Sequence, residues 1–182
     1  MPRIHVIGSG GAGKTVLASQ LAAALNVPHY ELDSLFWQEN WQKPEVEDFQ
    51  QTVSQVLSGE DWVTDGNYSA AREIVWGRVE VVVWLDYPLW LVMLRLIRRS
   101  IKRAFRRDLL WGTNRESLSK LFLSRDSLLL YVLRTHKKRQ NVYQQLSQSP
   151  EFSEIEFVRL RSPRQTEQWM RAYVSSPELS SE

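Results

Sequence analysis

The sequence of 182 residues contains no cysteine. This absence excludes disulfide bonds, zinc sites with thiolate ligands and catalysis by a cysteine nucleophile. Long hydrophobic runs are also missing, because the longest apolar stretch after Pro88, from Leu89 to Leu94, is far shorter than the roughly 20 residues of a membrane span. The first residues lack the apolar run and cleavage site of a secretory signal. We therefore expect a cytoplasmic protein with no membrane partner.

A strong excess of one charge is absent from the whole chain but present in one segment. The chain has 23 Lys and Arg against 21 Asp and Glu, a net charge of +2. Residues 95–139 hold 14 basic and 3 acidic residues and carry +11, while the remaining 9 basic and 18 acidic residues carry −9. The content of 43% hydrophobic and 24% charged residues is typical of a globular domain and excludes disorder for most of the chain.

Strand-like and helix-like segments alternate along the chain. The predicted strands are residues 4–7, 28–32, 62–64, 79–85 and 155–160, and the predicted helices are residues 14–25, 45–57, 88–105, 118–146 and 163–174. This alternation predicts a three-layer α/β fold with a parallel sheet and right-handed crossovers. We expect one domain over residues 1–176 and a frayed tail over 177–182. The oligomeric state, monomer or dimer, stays open.

A glycine-rich turn joins the first predicted strand to the first predicted helix. Its sequence, Gly8-Ser9-Gly10-Gly11-Ala12-Gly13-Lys14-Thr15, matches the P-loop pattern G-x-x-x-x-G-K-[ST]. The glycines let backbone N–H groups and the helix N-terminus face phosphates, Lys14 adds a positive charge, and the Thr15 hydroxyl suits Mg²⁺. A chance glycine-rich turn is the alternative, but the placement favours ATP bound with Mg²⁺. The predicted phosphate-binding residues are Gly8, Gly10, Gly11, Ala12, Gly13, Lys14 and Thr15.

Two aspartates at predicted strand ends are metal candidates. Asp65 ends the third strand and precedes Gly66-Asn67, and Asp86 follows the fourth. Because sites in α/β folds lie at the carboxyl ends of the strands, Asp65 is our first choice to join Thr15 at Mg²⁺. In the alternative interpretation Asp65 forms a turn and Asp86 caps a helix.

The basic segment 95–139 predicts a helical lid over the triphosphate. Arg95 and Arg99 share one helix face, and Arg134 belongs to a second basic cluster on the returning helix. Arginines on a closing lid stabilise the charge that develops in phosphoryl transfer. A solvated helix face is the ordinary alternative, and binding of nucleic acid is a third, less favoured one.

Residues 33–60 are the predicted acceptor-binding segment. Asp33 is placed to orient an acceptor hydroxyl or to take its proton, and Trp37 to stack on a flat substrate or cover the core. Asn67, Tyr68 and Arg72 are expected to face the same cleft. His5 and His29 lie within predicted strands, and we expect them to be packed rather than catalytic.

Four segments in this order resemble one known family. They are the P-loop, Leu32-Asp33-Ser34-Leu35-Phe36-Trp37 with Trp41, Trp62-Val63-Thr64-Asp65-Gly66-Asn67-Tyr68, and Leu85-Asp86-Tyr87-Pro88 followed by Arg95 and Arg99. From Met1 to about Val174, the chain resembles the adenylate-kinase-related P-loop proteins called FlaR-like, or DNA topology modulation proteins. The resemblance implies the nucleoside-monophosphate-kinase fold, with strand order 2-3-1-4-5, an acceptor segment after the second strand and a lid after the fourth.

The same resemblance implies roles for single residues. By motif, Asp65 matches an acidic residue near Mg²⁺, Arg95 and Arg99 match a pair that contacts the phosphates of both nucleotides, and Arg134 matches an arginine on the helix leaving the lid. The chain departs from adenylate kinases after Asp65-Gly66, where those enzymes have Phe-Pro-Arg and so an arginine for the acceptor phosphate. Arg72 is the residue placed to substitute for it.

Two functions follow from these patterns. The favoured one is a Mg²⁺-dependent phosphotransferase that uses ATP on an unidentified small molecule or nucleotide, with Lys14, Arg95, Arg99 and Asp33 as its catalytic residues. The alternative is a nucleotide-binding regulatory protein associated with DNA through residues 95–139.

Replacement of the P-loop lysine tests the loop directly. Lys14→Ala should weaken ATP binding or abolish turnover, because the loop loses its movable positive charge. Titration calorimetry with ATP and an ADP-release assay measure the two effects. An unchanged affinity and rate in a folded variant would remove the P-loop from the mechanism.

Overall fold

The computed structural model describes residues 2–38, 42–106, 109–110, 114–115 and 128–176. The strands in these ranges are β1 (Arg3–Gly8), β2 (His29–Glu31), β3 (Trp62–Asp65), β4 (Val81–Leu85), β5 (Leu109–Leu110), β6 (Asn114–Arg115) and β7 (Glu156–Leu160). Five of them form a parallel sheet in the order β2-β3-β1-β4-β7, and β5 and β6 pair separately as antiparallel strands. Counted along the chain, the sheet has the predicted order 2-3-1-4-5, which is thereby confirmed.

Helices cover both faces of the sheet. They are α1 (Lys14–Leu25), α2 (Leu32–Phe36), α3 (Val46–Val56), α4 (Arg72–Trp76), α5 (Leu89–Arg106), α6 (Leu128–Leu146) and α7 (Pro163–Val174). Side chains of α1, α5 and α7 pack in one core, and those of α3, α4 and the last turns of α6 in the other. The three-layer prediction is confirmed. None of these helices is both long enough and apolar enough to cross a membrane.

The burial of β4 on both of its faces explains why its sequence is an unbroken hydrophobic run. Successive side chains of a strand point to opposite faces, and a parallel sheet is covered on both. Val81 and Val83 accordingly pack in the first core, and Val82 and Trp84 in the second. All of β4 is buried, so no polar position interrupts it.

Two predicted strands are shorter in the structure. The second ends at Glu31, because Leu32 already begins α2. The fourth begins at Val81 rather than Val79, because the Val79 N–H donates to the Val75 carbonyl in α4, 2.9 Å away. The short helices α2 and α4 were not predicted, and neither was the β5–β6 pair, which falls in a predicted loop. The predicted helix 118–146 is observed from Leu128, while residues 118–127 and the tail 177–182 lie outside the described residues.

His5, in the middle of β1, is buried and fully hydrogen-bonded. Its Nε2–H donates to the Gly66 carbonyl at 3.0 Å, and its Nδ1 accepts from the Trp76 indole N–H at 2.9 Å. The bond in which Nδ1 accepts requires the neutral ring, and burial lowers the pKa of His5 from 6.5 to about 4. The prediction that His5 is packed is confirmed.

This histidine predicts a loss of stability in mild acid. With its pKa near 4 when folded and near 6.5 when unfolded, the unfolded state binds the proton more readily, so its contribution is complete above pH 6.5 and declines as the pH falls towards 4. Between pH 7 and pH 5 the loss amounts to about 2 kcal/mol. Urea unfolding at the two pH values should show a smaller decline in His5→Gln than in the parent protein. Equal declines in both proteins would contradict this origin.

Candidate active site

The P-loop follows β1 and packs closely on β4 and α5. Gly8 has φ +145°, and a Cβ atom there would lie 2.7 Å from the Leu85 carbonyl oxygen. Gly11 has φ +87°, and its Cβ would lie 2.9 Å from the Val92 carbonyl oxygen. Side chains at these two positions would be strained and would collide with backbone, so the loop needs glycine there.

Behind the loop, two oxygen-bearing side chains meet at the start of α1 and the end of β3. The Thr15 hydroxyl donates to Asp65 Oδ1 at 3.0 Å, and His29 Nε2–H donates to Asp65 Oδ2 at 2.9 Å. Asp65 is 1% exposed. A hydroxyl and a carboxylate at this distance are hard oxygen donors of the kind Mg²⁺ prefers, so the two residues predicted for the metal fit it. His29 is half-buried and contacts the site, and therefore does more than pack in β2.

Lys14 lies between charges of both signs. Partial burial lowers its pKa, the carboxylates of Asp65 and Asp33 raise it, and the guanidinium groups of Arg139 and Arg99 lower it. Three predicted catalytic residues are therefore close enough to interact through their charges, because Asp33 and Arg99 both act on Lys14. The acidic partners lie on the β2–β3 side, and the basic partners come from α5 and α6.

Arg95 reaches the P-loop from α5. Its Nη1 donates to the Ala12 carbonyl at 2.8 Å, and its guanidinium carbon lies 5.2 Å from the centre of the Tyr87 ring. Its Nη1 also lies 3.3 Å from the position of a Cβ on Gly13. The side chain is thus held by hydrogen-bonding and cation–π contacts at the predicted phosphate site.

One face of α6 binds loops that follow three strands. His136 Nδ1 and Ser9 Oγ share a hydrogen bond of 2.8 Å, the Gln140 amide donates to Asp86 Oδ1 at 2.7 Å, and the Tyr143 hydroxyl donates to Asn67 Oδ1 at 2.9 Å. His136 is buried, and burial lowers its pKa. The helix returning from residues 95–139 therefore supports the P-loop itself.

The arginine of α6 on this side is Arg139 and not Arg134. Val132 contacts Gly10, and at about 100° per residue Arg139 lies almost directly above Val132 on the helix while Arg134 lies about 200° away. Arg134 is exposed, whereas Arg139 is half-buried and acts on the pKa of Lys14. The structure does not bring Arg134 to the phosphate site as predicted, because the helix turns it outward.

Asn67 lies directly against the start of the P-loop. Its Nδ2 donates to the Gly8 carbonyl at 2.7 Å, and its Oδ1 accepts from the Gly8 N–H at 3.2 Å and from Tyr143. Every polar atom of the side chain is engaged in holding two backbone groups and α6. This placement gives Asn67 a loop-supporting contact where an acceptor-binding role was predicted.

Asp86, the second metal candidate, is committed to other partners. Its Oδ2 is paired with Arg159 of β7 at 2.7 Å, and its Oδ1 accepts from Gln140. The Arg159 guanidinium also lies over the Trp84 ring at 4.3 Å. Both carboxylate oxygens therefore fasten β4 to β7 and α6, which leaves Asp65 as the metal candidate.

On the other side of Lys14, the predicted acceptor residues form an aromatic patch with one carboxylate. The Tyr68 hydroxyl donates to Asp33 Oδ1 at 2.6 Å, and burial followed by the charge of Asp33 raises the pKa of Tyr68. The Tyr68 ring lies 4.5 Å from that of Phe36, which in turn meets Trp37 edge-on at 5.1 Å. Arg72 lies over the Trp76 ring at 5.7 Å and, like Asn67, is a predicted acceptor residue that the structure does not join to this patch.

With this geometry in place, comparisons with known proteins identify the architecture. A shikimate kinase from Bacteroides thetaiotaomicron superposes with a TM-score of 0.59 at 18% identity, over 94% of this chain and 96% of that one. A gluconokinase from Sinorhizobium meliloti 1021 superposes with a TM-score of 0.51 at 16% identity, over 100% and 98%. The chain has the P-loop kinase fold.

Sequence comparisons are less specific. The uncharacterized protein YqaC of Bacillus subtilis (strain 168) is 26% identical over 127 residues, 69% of this chain and 71% of that protein. No family model matches the chain. The predicted kinase-like fold is thus confirmed, while membership of the FlaR-like family stays a prediction.

Sequence reasoning missed the site residues of α6. His136, Gln140 and Tyr143 recur at four- and three-residue spacing, which places them on one helix face. The spacing can be read from the sequence, but the basic residues beside it form a stronger pattern, and that pattern indicates charge rather than a polar face that contacts loops. His29 was missed because a lone histidine within a strand carries no signal of its partner.

Asn67 provides a test that separates two roles. If it supports the loop, Asn67→Ala should weaken ATP binding about tenfold, since the hydrogen bonds to Gly8 contribute roughly 1–2 kcal/mol. Tyr143→Phe removes only the third bond and should have a smaller effect. Titration calorimetry with an ATP analogue measures both. If the folded Asn67→Ala protein binds ATP as tightly as the parent, the loop-supporting role is contradicted and the predicted acceptor-binding role is favoured.

Proposed function

We propose that this chain is a Mg²⁺-dependent phosphotransferase that moves the γ-phosphoryl group of ATP to a small-molecule acceptor. One observation carries the proposal. The Thr15–Asp65 pair, Lys14 and Arg95 converge on the P-loop, and the charge of Asp33 acts on Lys14 from the acceptor side. Solved structures of the same fold include a shikimate kinase, a gluconokinase and a sugar kinase.

The role proposed for each residue of the phosphate site follows from its charge. Backbone N–H groups of the P-loop bind the β- and γ-phosphates, and Lys14 neutralises the charge that develops as the γ-phosphoryl group leaves. Arg95, Arg99 and Arg139 add positive charge from α5 and α6. Because the Ala12 carbonyl and the Tyr87 ring hold Arg95 before the substrate arrives, little reorganisation of this side chain is needed at the moment of transfer.

Thr15 and Asp65 would hold the metal. Bound by these two residues, Mg²⁺ would offset the negative charge of the phosphate groups. His29 holds the Asp65 carboxylate from behind through Oδ2, which leaves Oδ1 directed at Thr15.

A second candidate function rests on the outer surface of α5 and α6. Neither helix contains an acidic residue, and Arg98, Lys102, Arg134, Lys137 and Lys138 are exposed on them. Such a surface binds polyanions in a salt-dependent manner. In this function the chain binds ATP without efficient transfer and contacts DNA through these residues.

An ADP-release assay decides between the two functions. Purified protein is supplied with Mg²⁺ and ATP, and then with nucleoside monophosphates, small alcohols or duplex DNA. We expect a small-molecule acceptor to stimulate ADP formation and duplex DNA to have no effect. Stimulation by DNA with none by any acceptor would contradict the kinase proposal.

Two arginines of α5 provide the matched variants for this assay. Arg95→Ala should lower the rate of transfer about 100-fold or more, because a preorganised charge at the phosphates is lost. Arg98→Ala removes an exposed arginine from the same helix and should stay close to the parental rate. A similar loss in both variants would show that the general charge of α5, rather than the contact of Arg95 with the P-loop, governs the rate.

A further inference from the structure

The acceptor side of the site carries the opposite charge from the nucleotide side. Residues 33–60 contain six acidic residues and one lysine and no arginine, as read from the complete sequence. Residues 95–139 carry +11. A phosphate group on the acceptor would therefore meet an acidic segment, whereas the triphosphate of ATP meets a basic one.

Among the described residues of 33–60, Asp33 is the carboxylate whose charge acts on Lys14. Its carboxylate acts on Lys14 and accepts the Tyr68 hydroxyl at Oδ1. Within the described part of the chain, Asp33 forms no ion pair, and its Oδ2 accepts no hydrogen bond. The remaining lone pairs suit a donor such as a hydroxyl or an ammonium group, and they repel a carboxylate or phosphate.

Lys43 of the predicted acceptor segment and Arg72 of α4 each lie over a tryptophan ring. The Lys43 ammonium lies over the Trp37 ring, 5.8 Å from its centre, and the Arg72 guanidinium lies over the Trp76 ring. Arg72 acts on the pKa values of His5 and Tyr143 rather than on that of Tyr68. Neither residue offers the bidentate arginine contact that a phosphate acceptor calls for.

The surface beside Asp33 is aromatic. The rings of Phe36, Phe49 and Tyr68 lie within 4.5–5.2 Å of one another, and Phe36 and Tyr68 are half-buried. Such rings bury the apolar face of a sugar or a flat heterocycle, while the carboxylate at their edge selects for hydroxyl groups.

We propose that the acceptor is an uncharged or positively charged hydroxy compound, and neither a nucleoside monophosphate nor a hydroxy acid. This inference rests on the proposed function and names its substrate class. An acceptor O–H donates to Asp33 Oδ2, which takes the proton as the acceptor oxygen bonds to the γ-phosphorus. The bond from the γ-phosphorus to the β–γ bridging oxygen breaks, and ADP leaves with that electron pair. The products are a phosphate monoester and ADP, and Asp33 returns its proton to solvent.

Acceptors that differ only in charge test the proposal. ADP release is measured with adenosine and AMP as one pair, and with glucosamine, glucose, gluconate and glucose 6-phosphate as one series. Binding of the same compounds is measured by calorimetry in protein saturated with a non-hydrolysable ATP analogue. We expect the neutral or cationic members to be used or bound at least tenfold better than their anionic counterparts.

Two variants identify the source of this discrimination. Asp33→Asn should lower the rate of transfer about 100-fold or more, since the proton acceptor is lost. It should also reduce the discrimination against anionic compounds in the binding measurement. Glu154→Gln is the control, because Glu154 is an exposed carboxylate outside residues 33–60 and lies just before β7, at the sheet edge opposite the P-loop. It should leave both quantities unchanged.

The outcomes distinguish this inference from the proposed function. An anionic member that is used or bound as well as its neutral counterpart would overturn the inference and leave the phosphotransferase intact. Equal discrimination in Asp33→Asn and Glu154→Gln, or no binding by any member, would also overturn it. The absence of ADP formation with every acceptor of either charge would instead count against the proposed function.

Discussion

The arrangement of the site depends on the pairing of one side-chain amide with one glycine. Asn67 both donates to and accepts from the backbone of Gly8, and so continues beyond the sheet the pairing of β1 with β3. This fixes the first residue of the P-loop relative to Asp65, two residues before Asn67. Since Thr15 meets Asp65 across this same junction, the loop and the metal candidate keep their spacing as one unit.

The distribution of charge follows from the topology. The start of α2 and the last residue of β3 supply Asp33 and Asp65, while α5 and α6 bring Arg95, Arg99 and Arg139 to the other side of Lys14. A chain with nearly balanced total charge thereby forms a site with separate acidic and basic halves. Lys14 lies at their boundary, where its pKa responds to both.

The elements predicted well from sequence are those with a strong local signal. The run 81–85 and the P-loop before α1 are such elements, because hydrophobic periodicity and the glycine pattern depend on neighbouring residues alone. Long-range partners were not predictable in this way. Asp86 was predicted either to bind the metal or to cap a helix. In the structure it pairs with Arg159, which lies 73 residues further along the chain. The resemblance indicated Arg134 of the second basic cluster, but the rotation of the helix decides which member faces inward, and that member is Arg139.

The attachment of α6 to three strand-end loops has a consequence for local unfolding. His136, Gln140 and Tyr143 connect one helix face to Ser9, Asp86 and Asn67. Separation of α6 from the sheet breaks all three bonds together. We therefore expect the helix and the P-loop to open as one cooperative unit in native-state hydrogen exchange. A ligand that stabilises the loop would therefore slow amide exchange along α6, even at residues far from the ligand.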